Sequence, residues 1–191
     1  MVRKHAGRFR ILEDRRLLRR LKHGDKDALR RIYEKYEGDL LTLAGHLLHD
    51  PAATQDVVQD VFISLVRTAP KLHLRRTLLA YLATAAANRA RDHLRRKSRE
   101  RLAPLEDAAH IAAVEDGPVQ IVGDAELVQK LRAAVAELPY EQHEAVMLRV
   151  HGDLKFREIA AHQGTSVKTA LSRYQYGLDK LRSMLDGEVS E

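Results

Sequence analysis

Apolar residues recur at steps of three and four along nearly the whole chain, and no stretch alternates β-branched with polar positions, so the pattern predicts an all-α fold. A short first helix carries Leu17, Leu18 and Leu21 and ends near Gly24-Asp25. A second starts around Asp25 and sets Ala28, Leu29, Ile32, Tyr33, Tyr36, Leu40, Leu43 and Leu47 on one face, the mark of a core helix. Asp50-Pro51 restarts the chain, and a third helix to about Arg67 turns Val57, Val58, Val61, Phe62 and Leu65 inward. After a loop from Pro70 to Thr77, a long helix from Leu78 to about Lys97 buries Leu78, Leu79, Leu82, Ala85 and Ala86. Periodicity then fades, and Pro104, Gly117, Pro118 and Gly123 interrupt any long helix. The expected organisation is a first helical domain over 1–97 with a short basic N-terminal extension, and a flexible linker over 98–125. A second helical domain spans 126–185, and a polar tail covers 186–191.

The second domain opens on Leu127, Leu131, Val135 and Leu138, and the segment Leu138 to Leu185 reads as helix, short turn, helix. Pro139 suits a helix start because its ring presets φ and it lacks an N–H that would be unsatisfied there. Gly152-Asp153 is expected to end one helix and cap the next, which takes its apolar side from Ile159 and Ala160. In the turn Gly164-Thr165-Ser166, glycine tolerates positive φ and serine can accept from the following amides. A last helix begins at Val167, with a stripe of Val167, Ala170, Leu171, Tyr174, Leu178, Leu181 and Leu185. At roughly 100° per residue, Thr169, Ser172 and Tyr176 lie furthest from that stripe, flanked by Lys168, Arg173, Gln175 and Lys180. Hydroxyl, amide and cationic groups on one outer face suit phosphates and base edges in a major groove, so this segment is expected to read DNA.

Two surfaces of the first domain also stand out. Asp56, Gln59, Asp60, Ile63 and Arg67 share the outer face of the third helix, and an isoleucine amid acidic and amide groups suits a protein interface with a polar rim. The end of the long helix, NRARDHLRRKSRER, concentrates positive charge, with Asn88, Arg91 and Arg95 on one outward strip beside Thr84.

Composition narrows the partner. A net charge of +6 and a pI near 9.6 favour an anionic one, although the 27 acidic residues make charge location matter more than its total. With no cysteine there is no disulfide, thiolate or cysteine-ligated zinc. His46 and His49 share a helix face without a third ligand nearby, and neither a glycine-rich phosphate loop nor a serine nucleophile elbow occurs. No catalytic site, metal or cofactor is therefore expected. With neither a signal peptide nor a membrane span in the sequence, the expected location is cytoplasmic.

Taken together, these motifs resemble the extracytoplasmic-function group of bacterial RNA polymerase sigma factors. In the first half the resemblance rests on LKHGDKDALRRIYEKYEGDLLTLAGHLLHDPAATQDVVQDVFISL, with its Gly-Asp, Ala, Tyr and Asp-x-x-Gln-Asp pattern, and on AYLATAAANRARDHLRRKSR. In the second half LPYEQHEAVMLRV, LKFREIA and GTSVKTALSR carry it. It implies that Asp56, Gln59 and Asp60, with Ile63 beside them, dock on the clamp helices of core polymerase. Arg75, Arg76 and Thr77 of the loop, with Tyr81, Asn88, Arg91, Asp92 and Arg95, would meet the minus-ten element and its opened strand. Ser166, Lys168, Thr169, Ser172, Arg173 and Tyr176 would read the minus-thirty-five element. The chain departs from the family at Tyr81, where relatives commonly carry tryptophan, at Leu171 and Tyr176, where many place cations, and at His143, commonly arginine.

The function so implied is a sigma factor that brings polymerase core to promoter DNA, melts minus-ten with its first domain and reads minus-thirty-five with its second. An anti-sigma protein is an expected further partner. Two weak DNA modules joined by a linker and a shared polymerase surface act at high effective concentration, so the free protein should bind promoters poorly and in a salt-sensitive way. The alternatives are a polymerase-independent helix-turn-helix regulator, which would bind its operator alone, and a nucleic-acid-processing enzyme, against which the lack of a carboxylate or histidine cluster argues.

Overall fold

A computed structural model of the protein describes residues 3–74, 76–102, 134, 135 and 137–186, and for residues 3–10, 100–102, 185 and 186 the description covers the backbone alone. All described regular structure is helical, and the chain divides into two units, 1–113 and 114–191.

In the first unit α1 spans Arg3–Lys22, far longer than the short helix expected, because its apolar residues mark only the packed turns. Leu17, Leu18 and Leu21 are buried there, while the rest is held by good helix formers such as Arg, Leu and Lys. Gly24, at φ 81°, turns the chain, and Asp25 caps α2 (Lys26–Leu48) by accepting from the amides of Asp27 at 2.9 Å and Ala28 at 3.1 Å. Arg20 Nε donates to the same carboxylate at 2.7 Å, and together with the Ala28 amide it holds the Asp25 carboxyl below its ordinary range.

The core face of α2 is Ala28, Ile32, Tyr36, Leu40, Leu43, Ala44, Leu47 and Leu48. Two residues assigned to it from the sequence sit at its margin: Leu29 is half-buried, and Tyr33 is 39% exposed. Polar groups pin α1 to α2. Asp14 is buried and accepts from Tyr36 Oη at 2.5 Å and from Lys35 Nζ at 2.8 Å. Burial would lower the Lys35 pKa, but the hydrogen bonds to Asp14 and Glu13 outweigh it and raise it.

His49, at φ 51°, closes α2, and Asp50 caps α3 (Pro51–Thr68), accepting from Ala53 N at 3.1 Å with Pro51 in the first turn. Val57, Val58, Val61, Phe62 and Leu65 are buried, as the periodicity requires. A 3-10 turn, Ala69–Lys71, opens the loop expected to be irregular, and α4 then runs over Leu78–Leu102. That helix continues past Lys97, where the apolar pattern ends, because the charged residues that follow are themselves helix formers. Its inner face is richer in alanine than the sequence reading allowed: Ala80, Ala83, Ala86, Ala87 and Ala90 are buried with Leu78, Leu79 and Leu82, whereas Ala85 is half-buried. Side chains this small let α4 pack closely on both α2 and α3.

In the second unit Ala134, Val135 and Leu138 are buried, while Leu127 and Leu131 lie outside the described residues. Pro139 stands just before α5 (Tyr140–Val150) rather than inside it. Gly152-Asp153 forms a turn in which Asp153 takes φ 52°, but it does not cap the next helix. Lys155 occupies that position before α6 (Phe156–Gln163), and Glu158 reaches back to accept from the Lys155 amide at 2.8 Å. The intervening Leu154 is fully buried, which spaces the turn from the cap. Gly164, at φ 63°, ends α6, and α7 covers Val167–Asp186.

The buried line of α7 is Ala170, Gly177 and Leu181, not the full stripe expected. Val167 is 51% exposed and Leu178 is 38% exposed; Leu171 and Tyr174 are half-buried, and the Leu185 side chain lies outside the described residues. A glycine at the centre of the contact with α5 rotates the helix from the register that apolar residues alone suggest.

Candidate nucleic-acid interface

Three surfaces carry the chemistry anticipated from the sequence. On α3, burial of Val57, Val58, Val61, Phe62 and Leu65 forces Asp56, Gln59 and Asp60 outward, and all three are exposed. Ile63 stands among them at 40% exposure, with Val66 one turn further at 43%. Tyr33 stacks on Phe62, the neighbour of Ile63, with ring centroids 4.7 Å apart. Its hydroxyl donates to Glu37, which together with desolvation raises the phenol pKa and keeps it neutral. Sequence reasoning assigned Tyr33 to the core and left Val66 unassigned, so the apolar part of this face is wider than anticipated.

The second surface begins in the loop before α4. Thr77 caps that helix, its Oγ1 accepting from Ala80 N at 3.1 Å. Arg76 Nη1 donates to Thr84 Oγ1 at 2.9 Å, and Thr84 in turn donates to the Ala80 carbonyl at 2.7 Å. The loop cation is thereby laid along the first turns of α4. Tyr81 Oη lies 3.2 Å from Thr68 Oγ1 at the end of α3, which fixes its half-buried ring. Further along, Asn88, Asp92 and Arg95 are exposed and Arg91 is half-buried, at the spacing of one outer stripe. Arg75 lies outside the described residues.

Not all of the basic end belongs to that stripe. Lys97 Nζ approaches Asp50 Oδ2 at 3.7 Å. The amide of Ala53, followed by Lys97 and His93, holds the Asp50 carboxyl low. A charge that reads as nucleic-acid affinity in sequence is thus partly committed to tying α4 to the cap of α3. Conversely, sequence reasoning missed a cleft of about 270 Å³ between α1 and the loop, lined by Arg15, Leu18, Arg19, Lys22, Leu72, His73 and Leu74. Its signal was the recurrence of cations every three or four residues on the outer side of α1.

The third surface is the start of α7. Ser166 Oγ accepts from Thr169 N at 3.0 Å and lies 2.8 Å from Thr169 Oγ1, so these two hydroxyl residues form the helix cap and are held by each other. Lys168 is exposed, Tyr176 is 65% exposed, and Thr169, Ser172 and Arg173 are half-buried. Arg173 Nη1 donates to Gln163 Oε1 at 2.9 Å, a link between α7 and the end of α6 that spacing alone could not reveal. Behind this face Phe156 meets Tyr174 edge-on, with centroids 5.3 Å apart, and Arg149 lies over Phe156 at 5.4 Å. The inner side of the start of α7 is therefore packed while its outer side remains polar.

Among the described residues no group of acidic residues or histidines is arranged to hold a metal ion, and no helix is long and apolar enough to cross a membrane.

Comparison with known proteins finds a family match in each half of the chain. Residues 32–100 match the family model for sigma-70 region 2, and residues 128–181 match that for sigma-70 region 4. The RNA polymerase sigma factor CarQ of Myxococcus xanthus is 28% identical over 173 residues, covering 90% of this chain and 97% of that protein. The ECF RNA polymerase sigma factor SigK of Mycobacterium ulcerans is 27% identical over 175 residues, covering 89% of this chain and 92% of that one. Among solved structures, the sigma factor RpoE from Bartonella quintana, in complex with the anti-sigma factor NepR, has a similar fold. The TM-score is 0.69 at 24% identity, over 82% of this chain and 96% of that one. CnrH, in complex with the cytosolic domain of CnrY, gives a TM-score of 0.62 at 21% identity, over 92% and 98% of the respective chains. With both family regions present in order and relatives aligned over nearly their full length, the chain belongs to the extracytoplasmic-function group of RNA polymerase sigma factors, which direct polymerase to promoters.

Proposed function

We propose that this protein acts in the cytoplasm as a dissociable initiation subunit with no active site of its own, dividing promoter recognition between two domains. The first, over 1–97 with α4 carrying on to Leu102, docks on core polymerase through Asp56, Gln59, Asp60 and Ile63. Its other working surface, Arg75, Arg76, Thr77, Tyr81, Asn88, Arg91, Asp92 and Arg95, holds the opened minus-ten strand. The second domain, over 126–185, reads minus-thirty-five through Ser166, Lys168, Thr169, Ser172, Arg173 and Tyr176, and 98–125 links the two.

The observation that carries this reading is the division of labour within one helical unit: an exposed acidic and apolar face on α3, and a cationic stripe on α4 led by a loop arginine already laid along it. Cations along the stripe neutralise backbone phosphates, and Tyr81 offers an aromatic edge beside them for an unstacked base. The opposite charge of the α3 face keeps DNA away from it and suits a basic protein surface. The polar face of α7 is of the right chemistry for a major groove.

The similar fold of RpoE from Bartonella quintana, solved in complex with the anti-sigma factor NepR, supports an anti-sigma partner for this chain as well. Such a partner would cover the Asp56 to Ile63 face and so compete with polymerase. The test is run-off transcription by purified core polymerase, with and without the protein, on a promoter library. Protein-dependent, promoter-selective initiation supports the reading. Specific DNA binding with no polymerase-dependent transcript would replace it by a stand-alone regulator.

A further inference from the structure

Within the second unit a chain of polar groups runs from the core to the reading helix. Glu144 of α5 has no exposed surface. Its carboxylate accepts from Tyr140 Oη at 3.3 Å, His162 Nε2 at 3.0 Å and Gln163 Nε2 at 2.9 Å. Gln163 Nε2 also donates to the Glu141 carbonyl at 2.9 Å, while its Oε1 accepts from Arg173 Nη1 at 2.9 Å. With both N–H groups and the oxygen engaged, the amide has one workable orientation. Its reverse would point N–H groups at a guanidinium and an oxygen at a carboxylate.

We infer that Gln163 is a positioning residue for DNA readout: it relays the buried charge of Glu144 to Arg173 and fixes the guanidinium plane on α7 before DNA is met. The inference rests on the proposed role of Arg173 at minus-thirty-five. An unrestrained arginine must give up rotamer freedom to present its planar fork to a base. Arg173 spends one N–H on Gln163 and keeps others of its guanidinium for DNA, so part of that ordering is already complete in the free protein. The acceptor is itself anchored at two points, which gives the arrangement a rigidity that a surface glutamine would lack. Sequence selectivity at the base pair Arg173 meets is what such rigidity supplies.

The test is binding and initiation by holoenzyme on a minus-thirty-five library covering every single base-pair change, with wild type, Gln163→Met, Arg173→Ala and the double variant. Gln163→Met is expected to lose roughly threefold to tenfold in discrimination, the worth of fixing one rotamer-rich side chain, at the same base pairs that Arg173→Ala affects. Discrimination elsewhere should hold, and the double variant should lose no more than Arg173→Ala, since the glutamine acts through the arginine. Should Gln163→Met fail to fold because Glu144 lacks a donor, Gln163→Asn keeps an amide but is too short to span both partners, and is expected to show the same position-specific loss. An even loss across all positions, or losses that add in the double variant, would make Gln163 merely structural. Selective loss in Arg173→Ala with Gln163→Met like wild type overturns this inference alone. Unchanged base preference in Arg173→Ala removes the arginine as a reader and the inference with it.

Discussion

Gly177 of α7 lies so close to Val146 of α5 that a Cβ added to the glycine would stand 2.9 Å from Val146 Cγ2 and 3.5 Å from the Gln142 carbonyl oxygen. Val146 is itself 3% exposed and branched at Cβ, so it has little room to yield. Gly177→Ala would gain about 1 kcal/mol of helix propensity but incur an overpacking cost of about 1–3 kcal/mol, for a net loss of about 1 kcal/mol. Chemical denaturation of the full chain checks this. A stabilised Gly177→Ala protein would mean that α5 and α7 can separate without cost.

Asp14 predicts the sensitivity of the packing between α1 and α2. Replacing it by alanine removes an acceptor of the buried Tyr36 hydroxyl and one of the two carboxylates that hold the Lys35 ammonium. The expected loss is about 1–3 kcal/mol, the cost of taking an acceptor from a buried donor. Tyr36→Phe should partly rescue Asp14→Ala, since it removes the hydroxyl that loses this acceptor; the double variant read by urea unfolding decides it.

Acid should weaken the first unit through its helix caps. Asp25 and Asp50 both have lowered pKa values, the first chiefly through Arg20 and the second chiefly through the Ala53 amide. A lowered folded pKa means the unfolded chain binds more protons as pH falls. The stabilisation is thus fully present above the unfolded value of about 3.9 and is lost as pH drops through the folded values. Asp50→Ala should cost about 0.5–2 kcal/mol near neutrality and flatten the acid limb of the unfolding curve. A limb as steep as that of wild type would remove Asp50 as a source of the acid sensitivity.

The proposed surfaces predict separable defects. Arg91→Ala with Arg95→Ala should reduce promoter opening more than polymerase binding, and weaken the log–log salt dependence by roughly 0.7 for each single-strand phosphate that is no longer neutralised. Asp56→Ala with Gln59→Ala should do the reverse, lowering affinity for core while leaving opening by the saturated holoenzyme intact. Core-binding titration and permanganate footprinting measure the two separately. Equal loss of both activities in all these variants would refute the surface assignment.

Periodicity determined the all-helical class, the inward set of α3 and therefore the outward set Asp56, Gln59, Asp60 and Ile63, while residue type marked helix starts at Asp25 and Asp50 and a capping serine at Ser166. These follow from local geometry, since burial of one helix face places the other in solvent. Tertiary structure decided what depends on neighbours. Lys97 pairs with Asp50, Tyr33 emerges at the rim, Arg76 lies on Thr84, and Gly177 rather than Leu178 faces the core. The clamp on Arg173 is of the same kind, joining residues ten positions apart on two helices whose crossing no periodic pattern specifies. A repeat of apolar residues states which side of a helix is inside, but closeness of approach and long-range polar pairing depend on the shape of the partner helix, and that exists only once the chain has folded.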